Sequence, residues 1–310
     1  MALFVYRRHA QLRLTLECLQ ACGIDQLHVF CDGPADARAA GDVAEVRRLI
    51  GEIDWIEPVV HAEGRNLGLS ESIRSGMNQL LECHEAAIVI EDDVCVAAEF
   101  YDYACRALSH YKGVERVAGI TGFRYPFDRK AFQHYPYDVF LSPRFSSWGW
   151  ATWRDRWVEF CFDASSLRRQ IRAAKLFRPD RAGADMPGLV NDAVVTGSLT
   201  GSWDVTCATN MLLRDQYFVT SGWNMVENSG LSEGTHFDRA PPWELRWEPD
   251  HKPRLEEIRF APVDDDEQVL KEYRRFLARQ GAGRGPIGRS RVAAARWRIR
   301  RRLRRAGMYR

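Results

Sequence analysis

The sequence predicts an α/β protein in which a mostly parallel sheet carries helices on both faces. Three observations point there. Short β-branched runs alternate with amphipathic helical spacing through the first third of the chain. The most apolar of these runs, Ala86 to Ile90, ends in three consecutive carboxylates, Glu91-Asp92-Asp93. At 310 residues, 45% hydrophobic and 28% charged, the chain has the length and composition to bury a full globular core.

Leu3 to Tyr6 reads as the first strand, and Leu12, Leu16 and Leu19 share one helical face. Leu27 to Cys31 is a second strand, closed by the turn Asp32-Gly33-Pro34, after which Val43, Val46, Leu49 and Ile50 mark a helix. Trp55 to Val60 reads as a short strand, Ser70 to Leu81 as a helix and Ala86 to Ile90 as a buried strand. A helix from Glu99 buries Phe100, Tyr103, Ala104, Ala107 and Leu108. Val117 to Thr121 is a further strand. Phe123 to Pro143, rich in Pro and aromatics, reads as a substrate-side loop. Trp150, Trp153 and Trp157 have the spacing of a helical core stripe, whereas Trp148 beside Gly149 suits stacking on a ligand.

The acids carry the chemistry. At the carboxyl end of a parallel strand, where open α/β sheets hold ligands, three adjacent carboxylates repel one another unless a cation intervenes. A divalent metal carrying a diphosphate answers that problem, and a solvent-accessible strand end would admit it. The plain alternative is a turn or a helix N-cap, but Val94 to Ala98 separates the acids from the next helix.

No apolar stretch approaches the roughly 20 residues that span a bilayer. A first strand beginning at Leu3, without the charged-then-apolar design of a secretory signal, makes the cytoplasm the expected location. Cys18, Cys22, Cys31, Cys83, Cys95, Cys105, Cys161 and Cys207 show no CxxC pair, which argues against a structural zinc or a disulfide framework. The net charge of +2 hides an asymmetry: residues 284–310 hold eleven arginines and no acid, and subtracting them leaves −9 for the remainder. Behind a Gly-rich linker, Val292, Ile299 and Leu303 share a face of a basic amphipathic helix suited to an anionic membrane surface, as a peripheral anchor on the cytosolic side. Nucleic acid is not the expected partner.

In their order, Tyr6-Arg7-Arg8, Phe30-Cys31-Asp32-Gly33, Gly64-Arg65-Asn66-Leu67-Gly68, Glu91-Asp92-Asp93 with Phe100-Tyr101-Asp102-Tyr103, Trp148-Gly149-Trp150 and Ser202-Trp203-Asp204 resemble the GT-A glycosyltransferases. The likeness is to the inverting N-acetylglucosaminyltransferase I group and bacterial family-2-like sugar transferases, over residues 1–240. It implies a Rossmann-like GT-A domain at 1–280, with a nucleotide-sugar part at 1–122 and an acceptor part at 123–245, followed by the linker and tail at 281–310. It also implies a nucleotide-sugar donor, UDP- or GDP-linked, a glycan or lipid-linked glycan acceptor as in polysaccharide biosynthesis, and Mn²⁺ or Mg²⁺ as cofactor.

By that resemblance Arg7 and Asp32 hold the nucleotide, Glu91 and Asp92 bind ribose and sugar, and Asp93 ligates the metal. Asp204 is the candidate base, although Val205 stands where the family has the second aspartate, the one assigned as base. Asp192 is the fallback, and either acid also suits a helix cap. In the segment Glu227 to Phe237, which resembles the loop that closes over the phosphates, His236 is a metal or phosphate contact, or else a plain surface histidine. Two other readings remain: a nucleotidyltransferase acting on sugar phosphates, disfavoured because no early Gly-rich basic loop is present, and a non-catalytic adaptor built around the tail.

Overall fold

A computed structural model describes residues 1–175, 177–196, 203–230, 248, 252–263 and 267–282. In chain order the elements are β1 (Ala2–Val5), α1 (His9–Ala21), β2 (His28–Cys31), α2 (Ala37–Gly51), β3 (Val59–Ala62), α3 (Leu69–Cys83), β4 (Ala86–Glu91), β5 (Val94–Val96) and α4 (Phe100–Tyr111). There follow β6 (Val117–Thr121), β7 (Val139–Ser142), β8 (Trp150–Trp153), α5 (Arg154–Trp157), α6 (Ala164–Ala173), α7 (Met186–Thr196), α8 (Trp203–Leu213), β9 (Tyr217–Ser221), β10 (Val226–Asn228) and α9 (Glu267–Ala282).

Eight strands form one sheet in the order β3-β2-β1-β4-β8-β6-β9-β7. The first four are parallel, β8 runs against both β4 and β6, β9 is parallel to β6, and β7 closes the far edge antiparallel to β9. The protein is therefore α/β with a large mixed, mostly parallel sheet.

Both faces of the sheet are covered, because its strands alternate two apolar sets. Leu3, Val5, Val29, Cys31, Ile88 and Ile90 face α1, α2, α4 and α9. Ala2, Phe4, Phe30, Ala87 and Val89 face α3, α7 and α8. A two-faced core of this kind explains why the strands read as continuous apolar runs rather than as alternating ones.

Two expectations for the middle of the chain are corrected. The tryptophans do not form a helical stripe: Trp150 and Trp153 lie on β8, and the period of 2 sends Trp150 into one core and Trp153 into the other. Nor is 123–143 an open loop, since Phe123, Phe127, Ala131, Tyr135 and Phe140 are buried and residues 139–142 form an edge strand. Its aromatics pack on one another and on Tyr273 of α9. Among the described residues no helix is long and apolar enough to cross a membrane.

Candidate functional site

β1 and β4 are paired neighbours, with Phe4 in register with Glu91, so the segments leaving both strands emerge side by side. The backbone N–H of Tyr6 donates to Asp92 Oδ2 at 3.0 Å, and the Thr15 hydroxyl donates to the Asp92 carbonyl at 3.0 Å. Those bonds fasten the acid turn to the segment before α1 and to the middle of that helix. On its other side, the N–H and hydroxyl of Ser229 donate to the Asp93 carbonyl at 2.8 and 3.1 Å. A short β5-β10 ribbon holds the two segments together. Gly230 is required there, since a Cβ on it would lie 2.2 Å from Asp93 Oδ2.

The Arg8 guanidinium donates to Asp93 Oδ2 and lies 3.6 Å from Asp92 Oδ1. Asp92 and Asp93 are buried and Glu91 is half-buried, so the acids are less open to solvent than a bare strand end would be. Burial holds the Glu91 carboxyl well above the usual carboxylate range, with the charges of Asp93, Asp92 and Asp204 adding to the push and Arg8 opposing it. Burial and the Asp93 charge raise Asp92 to about 6, against the N–H of Tyr6 and the charge of Arg8. Asp93 is raised by burial, with Arg8 again opposing. One guanidinium does not neutralise three carboxylates, and the site favours a proton or a further cation.

Among the described residues no group of three or more His, Cys, Asp or Glu is arranged to hold a metal ion. With Asp92 Oδ2 taken by Tyr6, the chain offers the remaining oxygens of one or two carboxylates. Hard oxygens in that number suit Mg²⁺ or Mn²⁺, which complete their shells with phosphate oxygens and water. The donor set fits such an ion as part of a shell.

The other sequence candidates divide. Asp204 sits exposed in the first turn of α8, near enough for its charge to reach Glu91. Asp32 is buried, and its oxygens accept the N–H groups of Gly33, Leu67 and Gly68 at 2.8, 2.7 and 3.0 Å and the Asn66 amide at 3.0 Å. Four donors fill a carboxylate, so Asp32 shapes the 64–68 loop and has no oxygen lone pair left over. Arg7 is exposed, with its guanidinium 5.8 Å from the Tyr6 ring centre, and it is Arg8 that meets the acids. The chain bends at Tyr6 and Arg7 between β1 and α1, and nothing in the string Tyr6-Arg7-Arg8 says which arginine turns inward. His236 and the tail at 284–310 lie outside the described residues.

Thr15 is a part of the site that sequence reasoning missed, and the contacts of Ser229 and Gly230 with Asp93 were not legible although both lie in the segment read as a phosphate loop. Their roles come from pairings across 77 and 136 residues, which no local pattern carries. Trp148 is half-buried against the edge of Phe123, with ring centres 4.7 Å apart, and its carbonyl accepts the Thr121 hydroxyl at the end of β6. Compared with family models the chain matches none, and no curated protein matches it either.

Proposed function

We propose that the chain is a GT-A glycosyltransferase that moves a sugar, with inversion, from a UDP- or GDP-linked donor to a hydroxyl of a glycan or lipid-linked glycan. One observation carries this reading: Glu91, Asp92 and Asp93 converge with Arg8 where β4 and β1 end side by side. An open α/β sheet holds its ligand at such strand ends, and the raised carboxyl pKa values there mark a site short of positive charge.

In this reading the 64–68 loop, organised by Asp32, flanks the nucleoside, and Arg8 turns from Asp93 to the donor diphosphate. Asp93, with His236 as a second contact, would hold a divalent ion, and that ion would supply positive charge opposite a departing nucleoside diphosphate. Glu91, whose burial beside Asp92 and Asp93 favours the neutral carboxyl, offers a hydrogen bond to a sugar hydroxyl. Asp204, at the exposed start of α8, accepts the proton of the acceptor hydroxyl as the new bond forms. The arginine-rich tail keeps the enzyme at an anionic cytosolic membrane surface, beside a lipid-linked acceptor.

Calorimetric titration of the protein with UDP and with GDP, each with Mn²⁺ and with EDTA, tests the reading. Binding of one nucleotide that requires the metal is the expected outcome. Equal binding in EDTA removes the metal from the proposal, and binding of neither nucleotide overturns the donor site. Release of pyrophosphate instead of nucleoside diphosphate during turnover assigns the reaction to nucleotidyl transfer.

A further inference from the structure

β3 is one rim of the sheet, and its pairing with β2 fixes which way its backbone faces. The N–H of Val59 donates to the Leu27 carbonyl at 2.8 Å and that of Glu63 to the Cys31 carbonyl at 2.9 Å, so the odd-numbered residues turn their backbone groups to β2. Val60 and Ala62, between them, turn theirs outward. The side chains are open as well: Val59 is 50% and Val60 47% exposed, and Glu57, Ala62, Glu63 and Arg65 are exposed too. Edge strands are ordinarily guarded by Lys, a bulge or a covering segment, and a Val-Val rim with outward amides is a template for another strand.

We infer that this rim pairs with the same rim of a second copy of the chain, joining two sheets across a twofold axis. An edge that closes on its own copy about a twofold runs antiparallel to it, with the same residues in contact on both sides. With Val60 opposite Ala62 of the second copy, every outward N–H of these residues meets an outward carbonyl. His61 then meets its own copy on the axis, Val59 lies opposite Glu63, and Glu57 lies opposite Arg65. Opposite charges directly across an antiparallel pair attract, and the twofold makes the Glu57–Arg65 contact on both sides of the axis. Among the described residues neither of these side chains is held in an ion pair within the chain, so both are free to make it.

Neighbouring registers are worse for stated reasons. A slip that sets Val60 against its own copy brings Ala62 opposite Pro58, which has no N–H to give, and Glu57 opposite Glu63. A slip the other way sets Ala62 against its own copy, sends Val60 to Gly64 beyond the end of β3, and leaves Arg65 without an acid across from it. Pro58 and the flanking charges therefore select one pairing, and that pairing is with the chain itself. The surface is small, one short strand and its flanks, so the dimer belongs with weak, concentration-dependent associations. Arg65 also lies in the loop whose amides Asp32 gathers, so the contact reaches that loop from outside.

The test mixes two single variants of the full-length protein, Val59→Cys and Glu63→Cys, under mild oxidation and maps peptides without reduction. The selected register sets these positions face to face as a non-hydrogen-bonded pair, the closer kind, and keeps each about 13 Å along the ladder from its own counterpart. The expected result is a disulfide joining position 59 of one chain to position 63 of the other, in excess of any 59–59 or 63–63 link. Its absence, or like-with-like links formed as readily, overturns the pairing. Sedimentation over a wide range of concentration then reads the charges. Glu57→Arg and Arg65→Glu should each weaken dimerisation about tenfold, and the two together should restore it. The substituted positions are all exposed, so folding does not depend on them. A dimer indifferent to both single reversals overturns the proposal, and so does a chain that stays monomeric at every concentration, which would leave the rim to a strand of another protein.

Discussion

Asp93 combines an ion pair with an unfavourable burial, and the balance between them is open to measurement. Its carboxyl is raised despite Arg8, so the ionised form costs stability at neutral pH. Asp93→Asn is expected to raise the melting temperature at pH 7.5 while weakening Mn²⁺-dependent nucleotide binding more than tenfold, or about 1.4 kcal/mol. Scanning fluorimetry and titration read the two effects separately, and a drop in melting temperature would show that the Arg8 pair outweighs burial. Asp204 differs because it is exposed. Asp204→Asn should leave stability within about 0.5 kcal/mol and nucleotide binding unchanged, yet slow transfer roughly a hundredfold or more if it is the base. An undiminished transfer rate assigns the proton to another group.

The loop between β3 and α3 depends on two adjacent residues. Asp32 gathers its amides, and Gly33 lets the Arg65 backbone approach so closely that a Cβ would lie 2.4 Å from the Arg65 carbonyl carbon. Gly33→Ala should therefore cost about 2–3 kcal/mol, read as a lower urea midpoint with unchanged slope. A midpoint equal to the wild type would mean that the loop shifts freely. Periodicity made most of the β1 to β4 half legible, because each strand there alternates with a helix of its own and the apolar spacing changes from run to run, but the strand expected at Trp55 to Val60 lies at Val59–Ala62. The same reasoning failed on 123–157. Three tryptophans at intervals of 3 and 4 fit a helix, but a strand followed by one helical turn buries them equally well when both sheet faces are covered. At the site, the acids were readable as a string of charges, whereas Arg8 over Arg7 and the filled lone pairs of Asp32 depend on directions that the string does not encode.

At the scale of the molecule, the amino-terminal end of the sheet responds to acid in the opposite sense from the acid site. Burial, the chain-terminal amine, His84 and His61 lower His28 to about 4. The unfolded chain protonates this imidazole near 6.5, so its contribution is complete above that pH and is lost as the pH falls toward 4. Discounted for partial exposure, the loss is about 1–2 kcal/mol. Asp92 pulls the other way over part of the same range, so urea titrations of the wild type and His28→Gln should be compared from pH 7 to 4.5. Their stability difference should shrink by that amount, and parallel curves would uncouple His28 from folding. The sheet order has one more effect, on how the chain comes into being. β1 to β4 are complete once residue 91 has been made, but the open side of β4 is covered only by β8, at residues 150–153. A nascent or truncated chain ending between those points carries a strand that is apolar from Ala86 to Ile90, with unpaired amides along its rim. Such a rim is a template for pairing with other chains, so fragments that stop short of residue 150 should precipitate where longer ones remain dispersed.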